Sequence, residues 1–127
     1  MSSDFEYLDF GVDFSKVKNI VLLNKPEDLR KGIDGYASVI QGIHYLDPTD
    51  GSLYIFTNRT KDKLKGILHD GNGYWLFFRR LARSHLKWPS TQTDEYQTIS
   101  WAQLQALLSG MTIVPDPQFL SKKPKYI

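Results

Sequence analysis

The chain has 127 residues, of which 41% are hydrophobic, and a formal net charge of +2. This length suits one packed domain, and the absence of cysteine excludes thiol nucleophiles, cysteine-ligated metals and a disulfide framework. No apolar run approaches the roughly 20 residues of a membrane span and no signal-peptide pattern opens the chain, so we expect a cytoplasmic, bacterial protein.

The charges are distributed unevenly along the chain. Every charge from Asp4 to Asp13 is acidic, whereas the segment from Arg59 to Lys87 is mostly basic. Such a concentration of one sign indicates more about partners than the net charge does.

The first third of the chain predicts an arm, a strand and a helix. Residues 1–18 form an acidic and aromatic arm, which either docks on the domain or stays disordered until a partner binds. Residues 19–23 are typical of a strand, and Asn24 is the expected N-cap of a helix that continues at helical spacing to Ile43. Gly32 and Gly35 inside that helix indicate close approach of a neighbouring strand or of a partner backbone.

The rest of the chain predicts a β-meander and a second helix. Residues 52–57, 63–69 and 74–81 are β-prone, with Asp70-Gly71-Asn72-Gly73 as a hairpin turn, and residues 85–88 predict a further strand. Ser100 and Gln103 form a capping box for a helix that ends near Gly110. We therefore predict an α+β domain over residues 19–114, in which an antiparallel sheet of four or five strands packs two helices on one face. A tail containing proline and lysine follows at residues 115–127.

The meander suggests a nucleic-acid surface. Alternation along a strand places Lys63 and Lys65 on the face opposite Leu64 and Leu68. If both helices cover the apolar face, the open face becomes basic and attracts phosphates. Exposed Tyr74 or His85 would then stack on bases. The predicted nucleic-acid contacts are Arg59, Lys61, Lys63, Lys65, Arg79, Arg80, Arg83 and Lys87.

The alternative for these cations is a solvated sheet face, because antiparallel sheets often present charge to water. A metal-dependent nuclease is a weaker alternative, since most candidate carboxylates have structural roles in turns and at helix starts. Those carboxylates are Asp28, Asp34, Asp47, Asp50, Asp62 and Asp70. No histidine has a partner at catalytic spacing, so we expect neither a metal nor another cofactor.

Several motifs resemble one family of accessory proteins. The matching positions are residues 28–35 (DLRKGIDG), Asp47-Pro48 with Gly51 and residues 53–56, residues 63–65, Asp70, Gly73, residues 79–81, residues 87–89 and the helix from Ser100 to Gly110. Their order and spacing from about Val21 to Gly110 are similar to those of the TnpB, or Orf2-like, accessory proteins of insertion sequence sixty-six type elements. The motif residues singled out are Asp28, Arg30, Lys31, Gly32, Asp34, Gly35, Asp70, Trp88 and Pro89.

The resemblance implies a non-catalytic role in DNA transposition beside a separate transposase. Element-end DNA and that transposase are the implied partners. Arg30 and Lys31 are further candidates for phosphate contact, or else they pair with Asp28 and Asp34. The main alternative is a protein-interaction module that bridges transposase subunits without touching DNA.

Overall fold

A computed structural model describes residues 12–89 and 95–113 of the chain. The regular elements follow a 3₁₀ turn at Phe14–Lys16. They are β1 (Ile20–Leu23), α1 (Ile33–Gly42), β2 (Leu53–Thr57), β3 (Lys63–His69), β4 (Tyr74–Arg80), β5 (Tyr96–Ile99) and α2 (Trp101–Leu108).

The five strands form one sheet in the order β4-β3-β2-β1-β5. The α+β class and the number of strands agree with the prediction, but the sheet is mixed rather than antiparallel, because β1 and β2 run parallel. The reason is the helix between them: α1 carries the chain back along the sheet, so β2 starts at the same end as β1. The other three pairings are antiparallel.

Each face of the sheet carries one helix, which corrects the prediction that both helices pack on one face. Alternate residues of β1 divide between two cores: Ile20 and Leu22 join Leu104 and Leu107 of α2. Val21 and Leu23 join the core formed with Tyr36, Val39 and Ile40 of α1. We call these sides the α2 face and the α1 face. A sheet covered on both sides needs strands without polar alternation, and all four residues of β1 and all five of β2 are buried.

Helix α1 begins later than the pattern at Asn24 predicts. Gly32 is the N-cap and provides no side-chain cap. The backbone N–H of Glu27 instead donates to the carbonyl of Thr57 at 2.8 Å, which ties this segment to the end of β2. At Gly35 the close neighbour within the chain is the stem of Lys31, which a Cβ would meet at 3.1 Å, and not a neighbouring strand.

The segment 85–88 is not a strand, contrary to the prediction. Its backbone forms a cross-link to the β2–β3 loop, in which the N–H of Leu86 donates to the carbonyl of Lys61 at 2.6 Å. Leu86 is buried on the α2 face. The fifth strand is β5, which pairs antiparallel with β1 from Ile20↔Ile99 to Leu23↔Tyr96.

The hairpin turn and the capping box are confirmed. The N–H of Asp70 donates to the carbonyl of Gly73 at 3.0 Å, and Gly71 adopts φ +97°. The Ser100 hydroxyl accepts from the N–H of Gln103 at 3.1 Å, and the Gln103 side chain accepts from the N–H of Ser100 at 2.8 Å. Helix α2 therefore starts where the sequence indicates.

The described end of the arm lies against the α2 face. The Phe14 ring centroid is 5.7 Å from that of Phe77 and 5.5 Å from that of Trp101. Residues 1–11 of the arm and the whole 115–127 tail lie outside the described residues. No helix in the described part of the chain is long and apolar enough to cross a membrane.

Candidate nucleic-acid interface

The predicted phosphate contacts lie at one end of the sheet, where β2 ends, β3 begins and β4 ends. The register pairs Lys63 at the start of β3 with Arg80 at the end of β4. The β2–β3 loop, residues 58–62, lies at this end, and so does the loop that follows β4, residues 81–89. We call the set of eight residues the basic end: Arg59, Lys61, Lys63, Lys65, Arg79, Arg80, Arg83 and Lys87.

Hydrogen bonds join the two loops of the basic end. The N–H of Leu81 donates to the carbonyl of Asp62 at 2.8 Å. The Nδ1 atom of His85 lies 2.7 Å from the carbonyl oxygen of Thr60. These links, with the one from Leu86 to Lys61, fix residues 81–86 beside residues 60–62 although the two segments are far apart in the sequence.

Three of the cations lie together on the α1 face. Lys63, Lys65 and Arg80 occupy alternate positions of β3 and β4 on this side, as the predicted placement of Lys63 and Lys65 opposite Leu64 and Leu68 requires. The Nζ atom of Lys65 lies 5.9 Å from the ring centroid of Tyr36 and 5.9 Å from that of Phe78. These contacts hold the Lys65 ammonium above the sheet by cation–π attraction.

The basic end extends onto the α2 side as well. Arg79 points away from Lys65, and its Nε donates to the carbonyl of Leu108 at 2.7 Å, at the end of α2. Arg83 and Lys87 belong to the loop whose Leu81 and Leu86 pack on the α2 face. The expectation of one open basic sheet face is therefore wrong, because each face carries a helix and the cations gather at an end and edge of the sheet.

One carboxylate lies inside the basic end. Asp62 accepts from the Asn58 amide and the Thr60 hydroxyl, both at 2.7 Å, and forms an ion pair with Lys63 at 3.2 Å. These hydrogen bonds, with the Lys63 charge, hold the pKa of the Asp62 carboxyl well below its usual range. Within residues 12–89 and 95–113, the other seven cations of the basic end form no salt bridge.

A second acidic group borders the same end. Arg30 forms a two-pronged ion pair with Asp28, at 3.0 Å from Nε to Oδ1 and 2.9 Å from Nη2 to Oδ2, and this lowers the pKa of Asp28. Lys31 pairs with Glu27 at 2.9 Å. Of the predicted pairings only that of Arg30 with Asp28 is found among the described residues, since α1 begins beyond Arg30 and the helical spacing to Asp34 does not apply.

A groove of about 750 Å³ connects these groups. Its walls are Asp28, Leu29, Arg30, Asn58, Lys63, Lys65, Leu76 and Phe78. The hydroxyl of Tyr36 donates to the carbonyl of Asp28 at 3.0 Å, which ties α1 to the wall of the groove. Burial, together with the negative charges of Asp28 and Glu27, raises the pKa of Tyr36 to about 12.

Comparison with known proteins decides the family. The sequence profile of the family described as "IS66 Orf2 like protein" matches residues 18–116. The chain belongs to the IS66 Orf2-like family. It is accordingly an accessory protein of an insertion sequence, as the resemblance in its motifs implies.

Two relatives come from Sinorhizobium fredii (strain NBRC 101917 / NGR234). "Uncharacterized protein y4hO" is 42% identical over 84 residues, which cover 66% of this chain and 72% of the relative. "Uncharacterized protein y4jC" is 25% identical over 97 residues, which cover 76% and 82%. No solved structure matches the chain.

Three further family-motif residues of this IS66 Orf2-like chain, Asp70, Trp88 and Pro89, have local structural contacts. Asp70 accepts from the N–H groups of Asn72 and Gly73 and, at 2.9 Å, from the indole of Trp75. Trp88 packs against the α2-face core, and the carbonyl of Pro89 accepts from the Gln97 amide at 3.2 Å. The family motifs therefore include residues that stabilise a turn or pack in the core, as well as charged residues.

The other chemistry considered from the sequence is not assembled in the described structure. Within the described residues, no three His, Asp or Glu side chains are grouped so that they could hold a metal ion. The imidazole of His44 is buried and lies 3.3 Å from Glu95, while His69 packs edge-on against Tyr74. Tyr74, one of the expected base-stacking residues, is only partly exposed, and His85 is exposed.

Sequence reasoning missed two residues of this surface. The side chains of Leu76 and Phe78 are 39% and 57% exposed on the α1 face, beside Lys65 and Arg80. The hairpin turn at residues 70–73 fixes the β3–β4 register, so counting back from it would have placed Phe78 opposite Lys65. Apolar residues are most often buried, so the hydrophobicity of Leu76 and Phe78 gives no sign of their exposure.

Proposed function

We propose that this accessory protein assists transposition by binding the DNA of its insertion sequence through the basic end. The observation that carries the proposal is the convergence of cations from three separate segments on one end of the sheet: the β2–β3 loop, the ends of the β3–β4 hairpin and the loop after β4. Each lysine or arginine that approaches a phosphate releases counterions, which favours binding.

The arrangement suits contact with the DNA backbone rather than recognition of bases. Lys63, Lys65 and Arg80 project from adjacent strands, and Arg59 projects from the loop beside them. Backbone contacts of this kind fix the position and orientation of a protein on a duplex without reading its sequence. The accessory protein would thus hold element-end DNA in place while the transposase performs the strand chemistry.

The test compares two charge reversals that change the net charge equally. Lys63→Glu with Lys65→Glu alters the basic end. Lys16→Glu with Lys18→Glu alters exposed lysines just before the start of β1, at the end of the sheet opposite the basic end. We expect the first variant to lose at least about tenfold in affinity for a fluorescent element-end duplex, since each lost phosphate contact weakens binding, and the second to lose much less. Thermal unfolding of both variants checks that they fold.

Equal loss in both variants would contradict the proposed site. Absence of DNA affinity in the unaltered protein would contradict the proposed function. In that case, capture of the transposase that does not depend on DNA would favour a module that bridges transposase subunits.

A further inference from the structure

Strand β4 is an edge of the sheet with an open outer side. Among the described strands it pairs only with β3, over seven consecutive residue pairs from Lys63↔Arg80 to His69↔Tyr74. The unbroken register excludes a β-bulge within this pairing. The outer side of β4 therefore presents a regular row of backbone N–H and C=O groups that β3 does not use.

Most of this edge lacks the features that usually prevent strand pairing; its only charges are Arg79 and Arg80 at the end of β4. Residues 74–78 read Tyr-Trp-Leu-Phe-Phe and contain neither a charged residue nor a proline. Leu76 is 39% and Phe78 57% exposed on the same face. Native proteins generally protect an exposed edge with charges, prolines, bulges or short length. The opposite edge, β5, has only four residues.

The sequence of β4 is complementary to itself when a second copy runs antiparallel. With Phe77 opposite the second copy's Phe77, Leu76 lies opposite Phe78 and Tyr74 lies opposite Arg80. The apolar pairs thus fall at the centre, where the solvent-exposed side chains would cover one another. Each Arg80 meets a tyrosine ring instead of another arginine, which favours cation–π contact at both ends.

We propose that two copies of this chain associate through β4, pairing in this register to form one continuous ten-stranded sheet. The interface is isologous, because each pair of opposed positions occurs twice about a two-fold axis through Phe77. Opposed residues of an antiparallel pair share a face, so both α1 faces lie on the same side of the joined sheet. The two Arg80 residues are then about 20 Å apart along the strands, at about 3.4 Å per residue.

A second copy fits this edge better than an unrelated strand because the complementarity includes both cation–π and apolar contacts. Shifting the register by two residues in either direction leaves two residues at one end of each β4 without a partner on the opposed strand. The Phe77-centred register alone uses all seven residues of β4. The inference does not depend on DNA binding by the basic end.

Analytical ultracentrifugation of the full chain from micromolar to millimolar concentration tests the association. We expect a monomer–dimer equilibrium in the unaltered protein. Leu76→Lys and Phe78→Glu should each raise the dimer dissociation constant at least about tenfold, since each buries an unpaired charge in the interface. Mixing the two variants should restore association as a heterodimer, because the introduced lysine then faces the introduced glutamate. Ile43→Lys, on an exposed residue at the end of α1, should leave the equilibrium unchanged.

Disulfide formation tests the register, since the chain has no cysteine of its own. Cross-strand neighbours have Cβ atoms about 4.5–5.5 Å apart, close to disulfide range. A mixture of Leu76→Cys and Phe78→Cys should form an oxidised heterodimer, and each variant alone should form little. A monomeric unaltered protein at every concentration, or a dimer that neither substitution at Leu76 nor at Phe78 weakens, would overturn the proposal.

Discussion

The position and the ion-pair partner of each charged side chain near the basic end depend on its neighbours, which the sequence predicts only in part. Alternation along β3 correctly places Lys63 and Lys65 on one face, because that rule follows from strand geometry alone. The partner of Arg30 depends on where α1 begins. The helical spacing from Arg30 to Asp34 suggested one pair, whereas the turn before the helix brings Asp28 to Arg30.

The Asp28–Arg30 pair predicts a pH-dependent stability difference. The pKa of Asp28 is lowered from its ordinary value of 3.8 by the Arg30 side chain and N–H, so the folded state favours the carboxylate. Its contribution to stability is present above about pH 3.8 and is lost as the pH falls toward the folded-state pKa. Asp28→Asn should therefore be less stable than the unaltered protein near neutral pH, with a difference that narrows below about pH 4 in urea unfolding. A difference that stays constant with pH would contradict this role.

Sequence patterns predict a helix start or a turn correctly where the stabilising hydrogen bonds join residues close together in the chain. The capping box at Ser100 and the hairpin turn at residues 70–73 use hydrogen bonds within a few residues, and both were predicted. The helix start predicted at Asn24 is wrong because the N–H of Glu27 donates to the carbonyl of Thr57, a group distant in the sequence. The strand predicted at residues 85–88 is wrong for a similar reason, because the N–H of Leu86 donates to the carbonyl of Lys61 in the β2–β3 loop.

The side chain of Ser100 caps the N-terminus of α2. Ser100→Ala removes the acceptor for the N–H of Gln103 and should lower the free energy of unfolding by about 1 kcal/mol. Ser109→Ala is the matched control, because its exposed hydroxyl only donates to the carbonyl of Gln105 at the far end of the helix. Chemical denaturation of both variants measures the difference. Equal, negligible losses would show that the cap does not stabilise α2.

For the whole molecule, topology determines which cations meet. The sequence indicates a basic middle segment, but it does not show that β1 and β2 are parallel or that the helices lie on opposite faces. Both depend on long-range packing: α1 covers one side of β1 and β2, and α2 covers the other. With both faces covered, the basic residues are left at one end and edge of the sheet.

If phosphates bind at the basic end, the affinity for DNA must fall with salt concentration through the contacts made there. Affinity for an element-end duplex is measured over a series of salt concentrations for the unaltered protein and for Lys65→Glu with Arg80→Glu. Each phosphate contact contributes about −0.9 to the slope of log affinity against log salt, so removing two contacts should make the slope shallower by about 1.8. Identical slopes for the two proteins would show that Lys65 and Arg80 do not contact phosphates.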